Sequence, residues 1–583
     1  METSQKTKTD IRRNNITQLV LALIIIVLIN IIGSFIYTRL DLTTEKRYSL
    51  SASTKKMLRE TDDIVYFKVY LDGDFPAGFK MLAKSTREML DEFRAYSDNI
   101  EYEFINPSSA ANAKTRSEVY ERLIQAGLEP TDINVRTKEG QQQQRIFPGA
   151  LVAYKGREIP ISLLADQLGA LPDAIINNST QALEYNISNA IRKLSNTNKP
   201  KIAFTYGHGE LPLIETADII NSLNDYYNVE RVKISGNVNA LTDRKENEDG
   251  SFSIVNKYKA IVVAKPDSVY SEKDKFIIDQ FIMQGGKVLW LVDPVFATMD
   301  SLQKSGNTIG ITQDINLNDQ LYKYGVRLNS NLLMDINALQ IPMITGQVGN
   351  QPQFTFFPWY YFPVLTSTSR HPVVNNLNAI KTEFISSIDT VGSPAIRKTI
   401  LLKTSKYTRI APTPVMISLG LLSKDPDPRD YSDPPQAVAV LLEGQFESLF
   451  KNRLTNEISQ APEMGFTEKI ANNRMIVISD GDIIKNQLQM SNGSYVPLPL
   501  GYDRHTRQTF GNKDLILNCV NYLCDDTGLM SVRSRELKLR ALDTTKARNQ
   551  LLMWQLINIL APILLVVIFG ILQFAIRKRK YAR

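Results

Sequence analysis

Two stretches of the chain, residues 14–38 and 549–576, carry no charged side chain, and their centres, LVLALIIIVLINIIGSFIY and LINILAPILLVVIFGILQF, are almost wholly apolar. At about 1.5 Å per residue, a helix of either length exceeds the ~30 Å hydrocarbon core of a bilayer. Transmembrane helices are therefore predicted over 16–37 and 551–576. The first run is longer than the ~7–15 apolar residues of a signal peptide and lacks an A-x-A site, so an uncleaved helix is expected. Pro562 and Gly570 in the second run are tolerated in lipid.

Between these runs the pattern shifts to shorter periods. Ser51 or Ser53 can cap a helix through Met57 and Leu58. IVYFKVYL (64–71) is a β-rich run, FKMLAKSTREMLDEFRAY (79–96) repeats apolar residues at helical spacing, and IEYEFINP (100–107) is a strand ending at Pro107. A helix over 115–128 follows, then strands within 133–162 joined by a polar turn at Glu139 and Gly140. This order predicts a small thioredoxin-like α/β domain over 44–198, without a C-x-x-C motif and hence without dithiol chemistry.

Residues 182–200 read as a helix followed by a polar linker, and Pro200 marks the boundary at which a second domain, 199–530, is expected to begin. Strands at 201–206, 228–234, 259–264 and 287–294 alternate with helices at 213–227 and 274–284, as in a parallel, doubly wound sheet. AIVVAKP and KVLWLVDP are continuous apolar runs, as strands covered on both faces should be. Further strands at 437–444 and 474–484 and a helix at 513–523 complete it, around a long insertion near 301–435. Within the insertion, FTFFPWYYFP (354–363) is either a buried plug or an exposed protein or carbohydrate interface.

Charge fixes an expected topology. The surplus of 68 basic over 61 acidic residues gives +7. Residues 1–13 hold four basic and two acidic side chains, and residues 577–583 hold five basic and none acidic, so the tails carry the whole surplus. That distribution argues against a nucleic-acid partner. By the positive-inside rule it places the tails 1–15 and 577–583 in the cytoplasm and the body across the membrane. The segment 531–550 is also basic, with Arg533, Arg535, Lys538, Arg540, Lys546 and Arg548, and is either a solvated linker or a strip along anionic headgroups or a partner.

Two loops at predicted strand ends are candidates for ligand contact, because loops there collect ligands in open α/β sheets. In Tyr206-Gly207-His208-Gly209-Glu210, His208 and Glu210 could act as base and acid or touch a sugar hydroxyl; equally, the glycines could serve a turn needing positive φ. Asp480-Gly481-Asp482 could hold a cation or polar ligand, or be a turn; its calcium-loop pattern is incomplete. Asp293 is expected to cap the segment after its strand. There is no P-loop, nucleophile elbow or H-E-x-x-H, so no cofactor or resident metal is expected and nucleotide-driven work must come from a partner. Cys519 and Cys524 are expected as small buried thiols.

The ordered motifs RYSLS (47–51), YGHGE (206–210), GGKVLWLVDP (285–294), ISDGD (478–482), NCVNYL (518–523) and RSRELKLRALD (533–543), set between two membrane helices, resemble the ABC-transporter auxiliary family, and within it the gliding-motility branch of Bacteroidota. The resemblance implies a non-enzymatic, substrate-binding-like subunit of the bacterial inner membrane with a periplasmic body. It works with a separate permease and ATPase, serves gliding, and is linked to type 9 secretion. Its central domain is similar to a module thought to recognise sugars, which puts Tyr206 through Glu210 and Asp480 through Asp482 forward as ligand-facing. The alternative is a membrane-anchored periplasmic sugar-binding protein or a hydrolase acting on a glycan or cell-wall substrate.

Overall fold

The computed structural model describes residues 8–35, 49–534 apart from 110, 111, 138, 139, 166, 168, 197, 250 and 350, and 544–581. The expected turn residue Glu139, residues 535–543 of the basic segment and the outermost tail residues lie outside these. The chain divides into two compact units, Met1–Arg535 and Glu536–Arg583. The second unit contains a 31-residue apolar helix, Leu551–Tyr581, of which Leu551–Arg579 is long and apolar enough to cross a membrane, with mean hydropathy 2.8 and no burial. Near the N-terminus, α1 spans Lys8–Phe35. Its described apolar part, Ile16–Ile31, is shorter than a full span.

The body begins at α2 (Ala52–Arg59), capped by the Ser51 hydroxyl, which accepts the Thr54 N–H at 3.1 Å. Next come β1 (Val65–Val69), α3 (Ala77–Tyr96), β2 (Ile100–Phe104) and α4 (Ala113–Gln125). β3 (Thr131–Thr137) and β4 (Gly140–Ile146) form a separate hairpin, and β5 (Gly149–Tyr154) and β6 (Arg157–Ser162) complete a four-stranded sheet in the order β2-β1-β5-β6. β1 is parallel to β2 and antiparallel to β5. Val65, Phe67 and Val69 point alternately into a core shared with α3 and α5 (Pro172–Ser195). α5 starts ten residues before its predicted start at 182. Pro172 is its N1 residue, and the polar run that hides the helical pattern is satisfied locally: Ser179 and Thr180 donate to the Ile175 and Ile176 carbonyls at 2.7 and 3.0 Å.

The larger sheet is built from β7 (Lys201–Tyr206), α6 (Leu213–Asn224), β8 (Asn228–Lys233), β9 (Ala260–Ala264), α7 (Glu272–Met283) and β10 (Lys287–Leu291). Later strands are a long hairpin, β11 (Ala338–Val348) and β12 (Gln351–Leu365), then β13 (Ile396–Lys403), β14 (Ala437–Glu447) and β15 (Lys469–Ile478), before α8 (Asn512–Leu523). Seven strands pair in the order β13-β14-β15-β10-β9-β7-β8. β15, β10, β9, β7 and β8 run parallel. α6 and α8 cover one face and α7 the other, with the continuous apolar strands buried between two cores.

The sheet departs from the expected all-parallel form at one edge. β14 is antiparallel to β15, and β13 to β14. Between β14 and β15 the chain forms only the short helix Asn456–Ser459, not the crossover helix a parallel return requires. β13 lies inside 301–435, so that segment is not wholly an insertion; part of it closes the sheet edge. The aromatic run divides: Trp359, Tyr360, Tyr361 and Phe362 are buried, while Phe354 and Phe356 are exposed.

Candidate functional site

β8 flanks β7 on one side and β9 on the other, and the helices that follow β7 and β9 lie on opposite faces. The crevice between the carboxyl ends of β7 and β9 is therefore the topological switch point, where open α/β sheets hold ligands. Here the chain itself fills it. The His208 carbonyl accepts the N–H groups of Asp267 and Ser268, both at 3.0 Å, and the Leu211 N–H donates to the Ala264 carbonyl at 3.0 Å. Gly207 and Gly209 have φ of +118° and +74°, which favours glycine. A Cβ at 209 would overlap the Asp267 carboxylate.

His208 and Glu210 are buried, whereas Tyr206 is 40% exposed with the Arg231 guanidinium 5.2 Å from its ring centre. His208 Nε2 lies 3.1 Å from Asp274 Oδ2, and its ring stacks on Tyr270 at 3.8 Å between centroids. Its Nδ1 is 3.8 Å from Glu210 Oε1, too far for a hydrogen bond. Glu210 accepts the His208 N–H at 2.7 Å and the Tyr270 hydroxyl at 3.3 Å. Asp274, near the start of α7, also accepts the Gly236 N–H at 2.6 Å and the Ser271 hydroxyl at 2.8 Å. Burial opposes charge on His208, but the two carboxylates outweigh it and hold its pKa above the ordinary value. Glu210 and Asp274 are likewise desolvated, yet their hydrogen-bond donors bring both below it.

The second loop sits on the same rim, beyond β15, with the residues that end β9 and β10. Asp480 is fully buried; it accepts the Asp482 N–H at 2.8 Å and the Glu383 N–H at 3.2 Å. Lys265, with φ of +54°, reaches Asp482 and lies 3.2 Å from Asp293. Asp293 accepts the Gly481 N–H, so its carboxylate joins two strand-end loops and does not cap its own segment as expected. Burial raises the pKa of Asp293, Asp480 and Glu383, Asp480 furthest, with neighbouring carboxylates adding to the shift. Lys265 is desolvated too, but the surrounding aspartates dominate and keep it firmly charged.

This geometry brings both sequence-predicted loops to one rim of one sheet, at different strand ends. His208 has carboxylate partners, but no serine, threonine or cysteine hydroxyl or thiol bonds to it among the described residues. No group of three or more His, Cys, Asp or Glu suited to a metal occurs among the described residues. In the carboxylate cluster the Lys265 ammonium sits between Asp293 and Asp482, and Lys381 lies 3.9 Å from Glu383. Asp274, Tyr270, Lys265 and Glu383 were not singled out from the sequence. For Asp274 a signal existed: Ser271-x-x-Asp274 is a capping pattern at a helix start, and Ser271 does accept the Asp274 N–H at 3.1 Å. Lys265 directly follows an apolar parallel strand, and such positions converge on the rim. Cys519 and Cys524 are buried, unpaired thiols, as expected.

Residues 44–153 match a domain of unknown function, DUF7088. Over 98% of its length the chain is 21% identical to an uncharacterized protein of Borreliella burgdorferi, 99% of which is covered. Among solved structures, the mmIFT52 N-terminal domain gives a TM-score of 0.30 at 11% identity, covering 56% of this chain and 97% of that one. A rhamnosidase from Novosphingobium sp. PP1Y gives 0.11 at 11% identity, covering 55% and 39%. Likenesses this low support no conclusion about fold or ligand. Residues 199–519, from the approach to β7 into α8, match the family described as ABC-type uncharacterized transport system. That match spans more than half of the 583 residues, and the chain belongs to this family.

Proposed function

We propose that this chain is a non-enzymatic accessory subunit of an ABC transport complex. Its body lies outside the cytoplasm, both termini lie inside, and helices at both ends of the chain connect it to a separate permease and ATPase in the bacterial inner membrane. Family membership supports the transport role, and the basic flanks 1–13 and 577–583 support the orientation. In this reading the mixed four-stranded sheet is a thioredoxin-like module lacking the dithiol. Service in gliding motility, with a link to type 9 secretion, is the finer assignment suggested by the motif order.

The observation that carries the coupling is that both ends of the body meet one turn of α5. Glu184 accepts the Ser51 N–H at 2.6 Å and the Thr54 hydroxyl at 2.9 Å. The next residue, Tyr185, directs its hydroxyl at Met530 Sδ, 3.4 Å away, and Ser53 donates to the Thr527 carbonyl at 2.8 Å. A displacement of α5 therefore reaches the segments that lead toward both helices. The rim loops Tyr206–Glu210 and Asp480–Asp482 face a ligand or partner in this scheme. Their buried members set loop shape and Tyr206 offers contact surface.

Purification of the tagged full chain in mild detergent, with mass-spectrometric identification of co-eluting chains, tests the proposal. A permease and an ATPase should appear in fixed ratio to the chain. Recovery of the chain alone, with the putting back of neither subunit on reconstitution, would overturn it.

A further inference from the structure

The long hairpin in the 301–435 segment has a free side. Among the described residues β11 pairs only with β12, and its backbone makes no hydrogen bond to any other element. Over the eleven residues of this edge strand, alternate residues turn their N–H and C=O away from β12 and toward an incoming chain. Pro342 lacks an N–H, so pairing there must occur on either side of it.

The cross-strand pairs Pro342 with Phe356 and Ile344 with Phe354 fall on one face of this hairpin. Ile344, Phe354 and Phe356 are 65%, 54% and 42% exposed, large values for apolar side chains. Alternate residues of a strand are about 6.8 Å apart, so this stripe repeats at the spacing of side chains on one face of an extended polypeptide.

The stripe runs into a cleft. Phe356 and Gln340 line a cavity of about 600 Å³. Through Gly169, Thr366 and Ala379 it adjoins a second cavity of about 360 Å³, walled by residues 366–370 and 375–379. Among the described residues the walls contain no carboxylate, and Arg370 is the one permanently charged side chain there. They are rich in amides and hydroxyls, including Asn178, Ser367, Asn376 and Thr506. Burial and the neighbouring Arg504 lower the pKa of His505, the remaining ionisable group. Such a lining favours an uncharged ligand with many hydrogen-bonding groups.

We propose that β11, its apolar stripe and the adjoining cleft form a docking site for an extended, uncharged polypeptide segment of a partner protein, taken up as an added strand. The free backbone edge and the two-residue repeat of apolar contacts decide between polypeptide and glycan: a glycan could occupy the amide-lined cleft but would use neither feature. The assignment stands apart from the identity of the accompanying transporter subunits.

The wall of the second cavity also bears on the membrane-proximal end of the body. Arg533 donates to the Pro372 and Asn375 carbonyls, both at 3.0 Å, and its guanidinium lies 4.9 Å from the Tyr185 ring centre. Arg533 thus joins the cleft wall to the turn of α5 on which both ends of the body converge.

The test uses the full chain in detergent and a fluorescein-labelled eight-residue peptide alternating valine with serine or threonine. Controls are the same peptide N-methylated at alternate residues, and unlabelled maltoheptaose as competitor. Fluorescence anisotropy should show saturable binding of the first peptide, none of the N-methylated one, and no competition by the oligosaccharide. The exposed-site variant Ile344→Ser/Phe356→Ala should weaken binding about tenfold or more with an unchanged melting temperature. Absence of saturable binding, equal binding of the N-methylated peptide, wild-type affinity in the double variant, or displacement by maltoheptaose would each overturn the proposal. An Asn376→Ala variant, which leaves the stripe intact, should weaken binding without abolishing it; wild-type affinity there would remove the cleft from the site.

Discussion

Replacing Lys265 with methionine removes one cation from a cluster of buried carboxylates while keeping most of the side chain's volume. Lys265 lies against Asp293 at 3.2 Å and also contacts Asp482, and Asp480 and Glu383 are close enough to act on the same group. Removing one partner of a buried ion pair costs about 3–5 kcal/mol, because the remaining charge stays desolvated. Unfolding entropy is about 2.1 cal/mol/K per residue, so for the roughly 320 residues of the family region the melting temperature should fall by about 4–7 °C. The pH dependence gives a sharper check. Burial already raises Asp293 and Asp480 above the ordinary carboxylate range, and loss of the ammonium raises them further. An acid whose folded pKa exceeds its unfolded one destabilises the fold at high pH, and this penalty shrinks as pH falls through the folded value and is gone below the unfolded one. The gap between wild type and Lys265→Met should therefore be widest near pH 8 and narrow toward pH 5. Thermal unfolding of both proteins in the same detergent, followed by intrinsic fluorescence across that range, measures it. A loss below about 1 kcal/mol, or one independent of pH, would refute the view of Lys265 as counter-ion of the cluster.

His208 should give a pH signature of its own. Its pKa is raised in the folded state, so its stabilising contribution is complete below the unfolded value near 6.5 and is lost as pH rises through the folded value. Denaturant titrations from pH 6 to 9 should show a falling limb in wild type that His208→Gln flattens, with about 1–3 kcal/mol lost at pH 6. Gly209→Ala combines left-handed φ with overlap on Asp267, whereas Gly156→Ala meets open space at φ +76°. The second should cost about 1–2 kcal/mol and the first visibly more by melting temperature; equal effects would contradict the packing described for the switch point. Glu184→Ala strands the Ser51 N–H and takes one partner from the Thr54 hydroxyl, which keeps the Ser51 and Ser188 hydroxyls, and should cost about 1–3 kcal/mol and speed hydrogen exchange over residues 51–59. Unchanged exchange there would separate α2 from α5.

The pattern of apolar positions fixed much of the body. β9 and β10 lie where the continuous apolar runs put them because a strand covered on both faces has no polar alternation to mislead. α5 was legible only in part, since its first ten residues satisfy buried hydroxyls within the helix and so need few apolar side chains. The C-terminal helix follows directly from length and hydropathy. Both candidate loops were visible as glycine- and aspartate-rich strand ends. Their partners were not, because Asp267, Tyr270 and Asp274 approach His208 from segments about sixty residues away in sequence, and Lys265 meets Asp482 from 217 residues away.

Charge patterning and period belong to the sequence alone: they give the apolar terminal runs, the basic tails and the alternating α/β order. Whether a rim loop is an open site or a filled crevice depends on which strands become neighbours, and that is settled by burying apolar strand faces between two helical layers. The same packing decides which half of the aromatic run is core. Trp359 through Phe362 find a buried partner layer, while Phe354 and Phe356, only a few residues earlier, lie on the free face of the hairpin and remain exposed.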